Sequence, residues 1–276
     1  MDVGEDDMNV LIAGGTGFIG SALTRSLVHD GHKVWVLTRR PERSQLPQDV
    51  VPVGWDGRSL GDWLGIFSQM DAVVNLVGEN VGQWPWTAKR KMRIRQSRVD
   101  AGVALAGAFQ KAARRPSVLI QASGVGYYGP CGSEPVHENT PAGSDFFASV
   151  AQDWEASTRL VDSLGVRRVV IRTSLVLAAQ AGILPLMALP VKLFVGGPLG
   201  SGKQGVSWIH IEDHIRAIRF LLENEKAFGA FNLSAPNPLS NEDFIFALAQ
   251  ALGRPCWFPA PAFALRLLLG EMSTLL

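Results

Sequence analysis

The sequence predicts an α/β protein built on a doubly wound parallel sheet. Apolar runs of strand length alternate with segments that have helical spacing through the first two thirds of the chain. The strand-length runs lack polar alternation, as expected for strands that helices cover on both faces. A glycine-rich turn joins the first strand to the first helix.

Six strands and three main helices are predicted before residue 178. The strands are residues 9–13, 33–38, 50–54, 71–77, 117–123 and 168–177. The helices are residues 21–30, 87–113 and 148–163. Gly31 suits the end of the first helix because glycine tolerates the left-handed backbone that follows many helices.

The chain changes character after Leu177. Residues 178–205 are rich in glycine and proline, and a short apolar run, a helix at 213–223 and a strand-like AFNLS segment follow. We predict a nucleotide-binding domain at residues 8–177 and a smaller substrate-binding lobe at 178–276, some segments of which pack back on the sheet. The acidic start, MDVGEDDM, does not resemble a signal peptide.

Composition and charge give no indication of nucleic-acid or membrane binding. The formal net charge is +1, which gives no field that favours nucleic acid, and no apolar stretch is long enough to span a bilayer. The two cysteines lack metal-ligand spacing, so no metal is predicted and a cytoplasmic location is expected. The basic run at residues 89–98 is interpreted mainly as a solvated helix face, and the oligomeric state stays open.

The segment NVLIAGGTGFIG is the most informative stretch. Gly14, Gly17 and Gly20 lie between a predicted strand and a predicted helix. Such a loop lets the backbone approach a pyrophosphate, whose charge lies at the helix N-terminus. Glycines also mark ordinary tight turns, but this context favours dinucleotide binding.

The end of the second strand favours NADP over NAD. NAD-binding proteins place an acidic residue there, which accepts hydrogen bonds from the ribose 2′-hydroxyl. Here the residues are Thr38, Arg39 and Arg40. A hydroxyl and two guanidinium groups suit a 2′-phosphate, although a basic loop start is the alternative interpretation.

Several segments together resemble the extended short-chain dehydrogenase/reductase superfamily. They are GGTGFIG, DAVVNLVGE, QASGVGYYG, SWIHIEDHIRAI and GAFNLSAPNPLS. The chain is most similar to the atypical NAD(P)-dependent epimerase/dehydratase-like subgroup, and the landmarks cover about residues 9–253. The subgroup usually continues beyond such an end, so a truncation or a disordered tail near Leu276 is expected.

The resemblance implies a Rossmann-type fold and a set of cofactor contacts. The implied contacts are Gly14, Thr16, Gly17, Phe18, Ile19, Gly20, Thr38, Arg39, Asp56, Leu76, Val77, Gly78, Arg98 and Val176. Arg98 takes the place where many members carry an Asn, and Val176 is expected at the end of the sixth strand beside the nicotinamide.

The family pattern fails where catalysis is expected. Active members use a Tyr as general acid/base with a Lys four residues later. Alignment on Glu155 puts Phe147 and Ala151 at those positions. Gly124 stands at the usual catalytic Ser or Thr position, and Val206 replaces an Arg that often binds a nucleotide diphosphate.

Three residues are candidates for a substitute catalytic group: Tyr128, Glu79 and Ser123. Packing is the alternative role of Tyr128. Two roles are open for a set of aromatic residues, which is to line an apolar pocket or, as is more common at such spacing, to pack in the core: Trp84, Trp86, Phe146, Phe147 and Trp208. The sequence predicts an NADP-binding oxidoreductase- or epimerase-like protein for an unknown small molecule. The alternative is a sensor or scaffold that binds NADP(H) without catalysis.

Overall fold

The structure is a computed structural model that describes residues 7–82, 85–132 and 134–258. The strands are β1 (Asn9–Ala13), β2 (Lys33–Thr38), β3 (Val50–Gly54), β4 (Ala72–Asn75), β5 (Val118–Gly124), β6 (Arg167–Thr173), β7 (Leu175–Ala178), β8 (Ala181–Gly182), β9 (Gly205–Val206), β10 (Trp208–His210), β11 (Gly229–Leu233) and β12 (Leu239–Ser240). The α-helices are α1 (Phe18–His29), α2 (Leu64–Phe67), α3 (Ala88–Lys111), α4 (Phe146–Ser157), α5 (Leu184–Lys192), α6 (Ile211–Glu223) and α7 (Asn241–Ala251).

The central sheet confirms the predicted fold class. Seven strands lie in the order β11-β6-β5-β4-β1-β2-β3, and every neighbouring pair is parallel. The strand order reverses between β1 and β4, and in such sheets ligands bind at the carboxyl ends of the strands beside that reversal. The predicted glycine loop follows β1 and therefore lies at this point.

Each face of the sheet buries its own apolar core. On one face Ile12 and Ile171 pack with α1 and α6, and on the other Leu11 packs with Phe67 and Phe109 of α2 and α3. The side chains named here have no solvent exposure. Burial on both faces explains why the strands read as continuous apolar runs.

The prediction of one strand over residues 168–177 was wrong. It is divided into β6 and β7, because the backbone N–H of Ser174 donates to the carbonyl oxygen of Leu233. Beyond that point β7 pairs with β10 and β8 instead of the main sheet. Val176, expected at the end of the sixth strand, lies in β7 opposite Ile209.

The helix predicted over residues 148–163 is also shorter than expected. It begins at Phe146, where the side chain of Asp145 accepts a hydrogen bond from the backbone N–H of Ala148. It ends at Ser157, and a 3-10 turn over Arg159–Leu164 follows.

Part of the predicted C-terminal lobe belongs to the main sheet. Strand β11 pairs with β6, and α6 packs against α1. The short sheets β10-β7-β8 and β12-β9 lie apart from the main sheet, and a separate core there includes Leu177, Val191 and Phe244. The division at residue 177 stays a prediction, and residues 259–276 of the lobe lie outside the described residues. No helix in the described ranges is long and apolar enough to cross a membrane.

Candidate active site

The N-terminus of α1 is open to an anion. Gly17 is the residue before the helix and has no side chain to cap it. Its backbone is extended (φ −78°, ψ 177°), and both Thr16 and Gly17 are exposed. The first N–H groups of a helix have no partner within the helix, and their dipoles favour negative charge. The residues present therefore fit a pyrophosphate at this point.

The glycines of the loop have different physical roles. A Cβ on Gly17 would meet only the carbonyl oxygen of Gly14, at 3.3 Å, so the space above Gly17 is free for a ligand. Gly14 has φ +86°, and a Cβ there would lie 2.8 Å from the carbonyl of Leu76. A Cβ on Gly20 would overlap the Gly14 carbonyl. Gly14 and Gly20 thus shape the loop, whereas Gly17 leaves room beside it.

A cleft of about 610 Å³ adjoins the loop between the N-terminal halves of α1 and α6. Thr16, Gly17 and Phe18 form one wall. Arg25 and Arg216 contribute positive charge, although Arg216 is paired with Glu212 and Asp213. The cleft therefore gives solvent access to the phosphate loop from the α6 side.

The end of β2 offers two free guanidinium groups. Arg39 and Arg40 are exposed, and within the described part of the chain neither guanidinium has a hydrogen bond or ion pair. The backbone N–H of Arg40 lies 3.4 Å from the hydroxyl oxygen of Thr38. These groups remain available to a phosphate.

Asp56, one of the implied cofactor contacts, stabilises the turn in which it lies. Its carboxylate accepts hydrogen bonds from the hydroxyl and backbone of Ser59 and from the backbone of Arg58. These bonds hold the pKa of Asp56 well below its usual range. The carboxylate is ionised and exposed, and it lies two residues after the end of β3.

The segment Leu76–Gly78 follows β4 directly beside the glycine loop. The backbone N–H of Leu76 donates to the carbonyl oxygen of Ala13, and that of Val77 donates to the side chain of Asn75. Asn75 also donates to Gln121 at 2.9 Å, and both side chains are fully buried. This buried amide pair fixes the path of the predicted cofactor segment.

The side chain of Arg98 packs against Gly78, the last residue of the segment Leu76–Gly78. Its guanidinium donates to the carbonyl oxygens of Glu79 and Ile94 and lies over the Trp154 ring at 4.8 Å. A Cβ on Gly78 would be 2.8 Å from its central carbon, so Gly78 is required for the close approach. Burial lowers the pKa of Arg98 to about 10, and the charge of Glu79 opposes that shift. Arg98 remains charged near neutral pH.

Glu79, a catalytic candidate, is engaged in ion pairs. Its carboxylate lies 3.2 Å from Arg90 and 3.4 Å from Arg93. Its backbone N–H donates to the hydroxyl of Ser97. These contacts tie the loop after β4 to α3, which indicates a structural role for Glu79.

Ser123 and Tyr128, the other two candidates, belong to one buried polar network. Ser123 donates to Glu155 at 2.7 Å, and Glu155 accepts two further bonds from Arg172 at 2.9 and 3.0 Å. Arg172 also donates to the Tyr128 hydroxyl, which donates to Asn232 at 2.7 Å. Although burial disfavours its charge, the bonds to Glu155 and Tyr128 raise the pKa of Arg172.

This network connects β5, β6, α4 and β11. Tyr128 and Arg172 are only 4% and 5% exposed, and the Arg172 guanidinium lies 3.5 Å from the centre of the Tyr127 ring. Both hydroxyl groups proposed as catalytic already have partners. The structure thus favours the packing role of Tyr128 over the catalytic one.

An aromatic cluster occupies the start of α4. The ring centres of Trp86, Phe146 and Phe147 lie 5.1–5.9 Å apart. A Cβ on Gly126 would lie 3.2 Å from Cβ of Phe147, so this ring packs against the turn after β5. Trp208 belongs instead to the separate C-terminal core, and Trp84 lies outside the described residues.

A family model described as the NAD dependent epimerase/dehydratase family matches residues 10–234. The chain belongs to this family. It is an atypical extended short-chain dehydrogenase/reductase, as the resemblance indicated.

Curated relatives match along nearly the whole chain. The epimerase family protein YfhF of Bacillus subtilis is 36% identical over 98% of this chain and 88% of its own length. The chloroplastic SDR39U1 homolog of Arabidopsis thaliana is 37% identical over 98% of this chain and 78% of its own.

One solved structure supports the same assignment, and a second supports the fold. Human epimerase family protein SDR39U1, crystallised with NADPH, superposes with a TM-score of 0.86 at 34% identity, over 97% of this chain and 88% of that one. A UDP-glucose 4-epimerase of Thermus thermophilus in complex with NAD has a TM-score of 0.75 at 20% identity, over 92% of this chain and 87% of that one. The second likeness shows the fold alone.

Sequence reasoning missed three polar residues at the family's catalytic edge: Arg172, Thr173 and His214. Arg172 interrupts the apolar run RRVVIRT, and a charge inside a buried strand signals an ion pair. His214 lies one turn before Ile218 and two turns before Leu221, so helical spacing puts it on the buried face. Thr173 gives no comparable signal, because threonine is common in strands.

Proposed function

We propose that the protein is an NADP(H)-dependent oxidoreductase- or epimerase-type enzyme for a small molecule. The observation that carries this proposal is a pair of features along one sheet edge that suit an anion. They are the N-terminus of α1, which has no side-chain cap, and Arg39 and Arg40 after β2, whose guanidinium groups have no partner among the described residues. The NADPH in the human SDR39U1 crystal structure supports the choice of cofactor.

The proposed cofactor contacts follow the sheet edge. The N–H groups of Phe18, Ile19 and Gly20 would hold the pyrophosphate, and Thr38 and Arg39 the 2′-phosphate. Leu76–Gly78 would support the sugar, and Val176 would lie near the nicotinamide. NADP(H), when bound, supplies or accepts a hydride, so the protein must orient the substrate oxygen and manage its proton.

The usual proton donor of such enzymes is missing from the chain. Its two tyrosines are Tyr127 and Tyr128, and neither has a lysine four residues later. Phe147 at the proposed tyrosine position carries no exchangeable proton. A different hydroxyl, an imidazole or water must therefore act if the protein is an enzyme.

The second candidate function is a sensor or scaffold that binds NADP(H) without catalysis. One observation favours it: Ser123 and Tyr128 are both engaged in the network around Arg172. A protein that only reports cofactor binding needs no free proton donor at this edge.

Calorimetry with NADPH and NADH tests the cofactor, and NADPH oxidation against a panel of aldehydes and ketones tests catalysis. We expect NADPH to bind at least 10-fold more tightly than NADH, because in this proposal Arg39 and Arg40 would contact the 2′-phosphate, which NADH lacks. Equal affinities would contradict the choice of NADP. Tight NADPH binding without turnover of any carbonyl compound would favour the sensor.

A further inference from the structure

Thr173 and His214 form a polar pair inside an otherwise apolar part of the structure. Thr173 is the last residue of β6, and its hydroxyl oxygen lies 2.9 Å from Nε2 of His214 on α6. His214 is fully buried, whereas Thr173 is partly exposed. Within the described residues, Nδ1 of His214 has no hydrogen-bond partner.

The pair lies beside the position where the family pattern has its catalytic hydroxyl. Thr173 is the register partner of Gly124 on β5. Two residues earlier on each strand, Ile171 and Ala122 both belong to the core between the sheet and α6. Because side chains alternate along a strand, Thr173 and the missing side chain of Gly124 share that face. Thr173 therefore supplies a hydroxyl next to the position that has none.

The hydrogen bond leaves the hydroxyl proton of Thr173 free. Burial lowers the pKa of His214 to about 4, so its imidazole is neutral near pH 7 and carries one N–H. A buried N–H without a partner is rare, whereas an unsatisfied acceptor is less costly. The proton is therefore on Nε2, which donates to the Thr173 oxygen. The Thr173 hydroxyl must then donate elsewhere, and Thr173 is partly exposed at the carboxyl end of β6.

We propose that the Thr173 hydroxyl is the catalytic group that donates a hydrogen bond to the reacting oxygen of a carbonyl or secondary-alcohol substrate, and that His214 is the residue that positions it. The proposal rests on the proposed function, because the reaction needs the cofactor. In this proposal Thr173 takes the catalytic role for which Ser123 and Tyr128 were candidates, because the hydroxyl groups of those two residues already have hydrogen-bond partners.

The first test measures the protonation state of the His214 imidazole. Long-range ¹H–¹⁵N spectra of the full chain, with and without NADPH, report which ring nitrogen of His214 is protonated. We expect a neutral ring with the proton on Nε2 at pH 7, and H214Q identifies the signal by its loss. A proton on Nδ1 alone would overturn the proposal, because Thr173 would then donate its proton to Nε2. A charged ring would keep Nε2 as the donor to Thr173, support the proposal, and contradict only the lowered pKa of His214.

The second test compares isosteric variants on the carbonyl panel with NADPH. We expect T173V to lower kcat by about 10²–10³-fold, the usual effect of removing one such donor. T173S, which keeps the hydroxyl, should stay within about 10-fold of the wild type. H214L should resemble T173V, and H214Q, whose amide can donate to Thr173, should restore most of the rate.

The pattern of results separates the proposals. All four variants should keep the wild-type Kd for NADPH and a cooperative thermal transition. Wild-type kcat in T173V, or a wild type that binds NADPH and reduces no carbonyl, would overturn the role of Thr173. Failure of the wild type to bind NADPH, with the Nε2 proton as expected, would refute the proposed cofactor instead.

Discussion

The two halves of the sheet edge differ in how their polar groups are used. Beside β1 and β2, the N–H groups at the start of α1 and the guanidinium groups of Arg39 and Arg40 have no protein partners in the described structure. Beside β5 and β6, Ser123, Glu155 and Arg172 bind one another in a buried network. The first half is arranged to receive a ligand, and the second is arranged to be rigid.

The family's sequence pattern is therefore retained beside β1 and β2, whereas different residues stand in its place beside β5 and β6. Polar groups without partners near a surface are available to a ligand, whereas a satisfied buried network stabilises one conformation. The cofactor half can therefore be inferred by resemblance alone. The half beside β5 and β6 must be interpreted from its own contacts, which leave Thr173 as the hydroxyl proposed to face the substrate.

The largest effect is expected for Gly17→Val. The valine side chain would fill the open space above the loop, and the extended backbone at Gly17 accepts any residue. NADPH affinity should fall by more than about 100-fold while the domain still folds. Calorimetry and a thermal melt measure this, with Gly65→Val as the control, since a Cβ there contacts nothing within 4 Å. Retained affinity would show that the loop is only a turn.

Arg172→Leu should destabilise the fold by about 3–5 kcal/mol, because it leaves Glu155 buried without its counter-charge. The control is Arg216→Leu, which removes an arginine that pairs with Glu212 and Asp213 but is 72% exposed, and there we expect a loss of less than about 1 kcal/mol. Urea unfolding measures both. Similar small losses in the free energy of unfolding would mean that this network does not stabilise the part of the sheet around β5 and β6.

Arg39→Ala should weaken NADPH binding by about 1.5–3 kcal/mol and leave NADH binding nearly unchanged, because the lost hydrogen bonds go to the 2′-phosphate. The control is Arg159→Ala, an exposed arginine in the 3-10 turn after α4. Calorimetry with both cofactors decides the matter. Equal losses for the two cofactors would contradict a specific phosphate contact.

The smallest effect is expected where the family motif is restored. Phe147→Tyr with Ala151→Lys should raise carbonyl reduction by less than about 10-fold, because a donor assists only within hydrogen-bond reach of the reacting oxygen. The new hydroxyl would lie among Trp86 and Phe146, and Ala151 is only 6% exposed, so the lysine would bury a charge. A gain of several orders of magnitude would mean that the two halves differ only by two lost residues.

The fold was predictable to the extent that it depends on local patterns. Strands β1, β2 and β3 have the predicted bounds, because each is an apolar run that ends at a polar or glycine turn. The break between β6 and β7 was not predictable, since it depends on a hydrogen bond from Ser174 to Leu233, 59 residues later.

The same distinction applies to the site. The glycine spacing indicates the open end of α1, because that feature lies within one turn of chain. The engagement of Ser123 and Tyr128 depends on Glu155, Arg172 and Asn232, which come from three other elements. A residue type at a strand end indicates that a side chain can donate or accept a proton. Its hydrogen-bond partners decide whether that side chain is available to a substrate.

The pairing of β11 with β6 has a consequence for synthesis of the chain. On the ribosome β6 is complete at Thr173 and can pair with β5, but its second neighbour, β11, ends only at Leu233. Helix α6, which covers Ile171, lies between them in the sequence. Until then the nascent chain presents β6 as an unpaired edge with an uncovered apolar face, a surface that promotes association between chains. The edge and the apolar face of β6 therefore stay exposed while residues 174–233 are synthesised. During this period the nascent chain depends most on chaperones to prevent association.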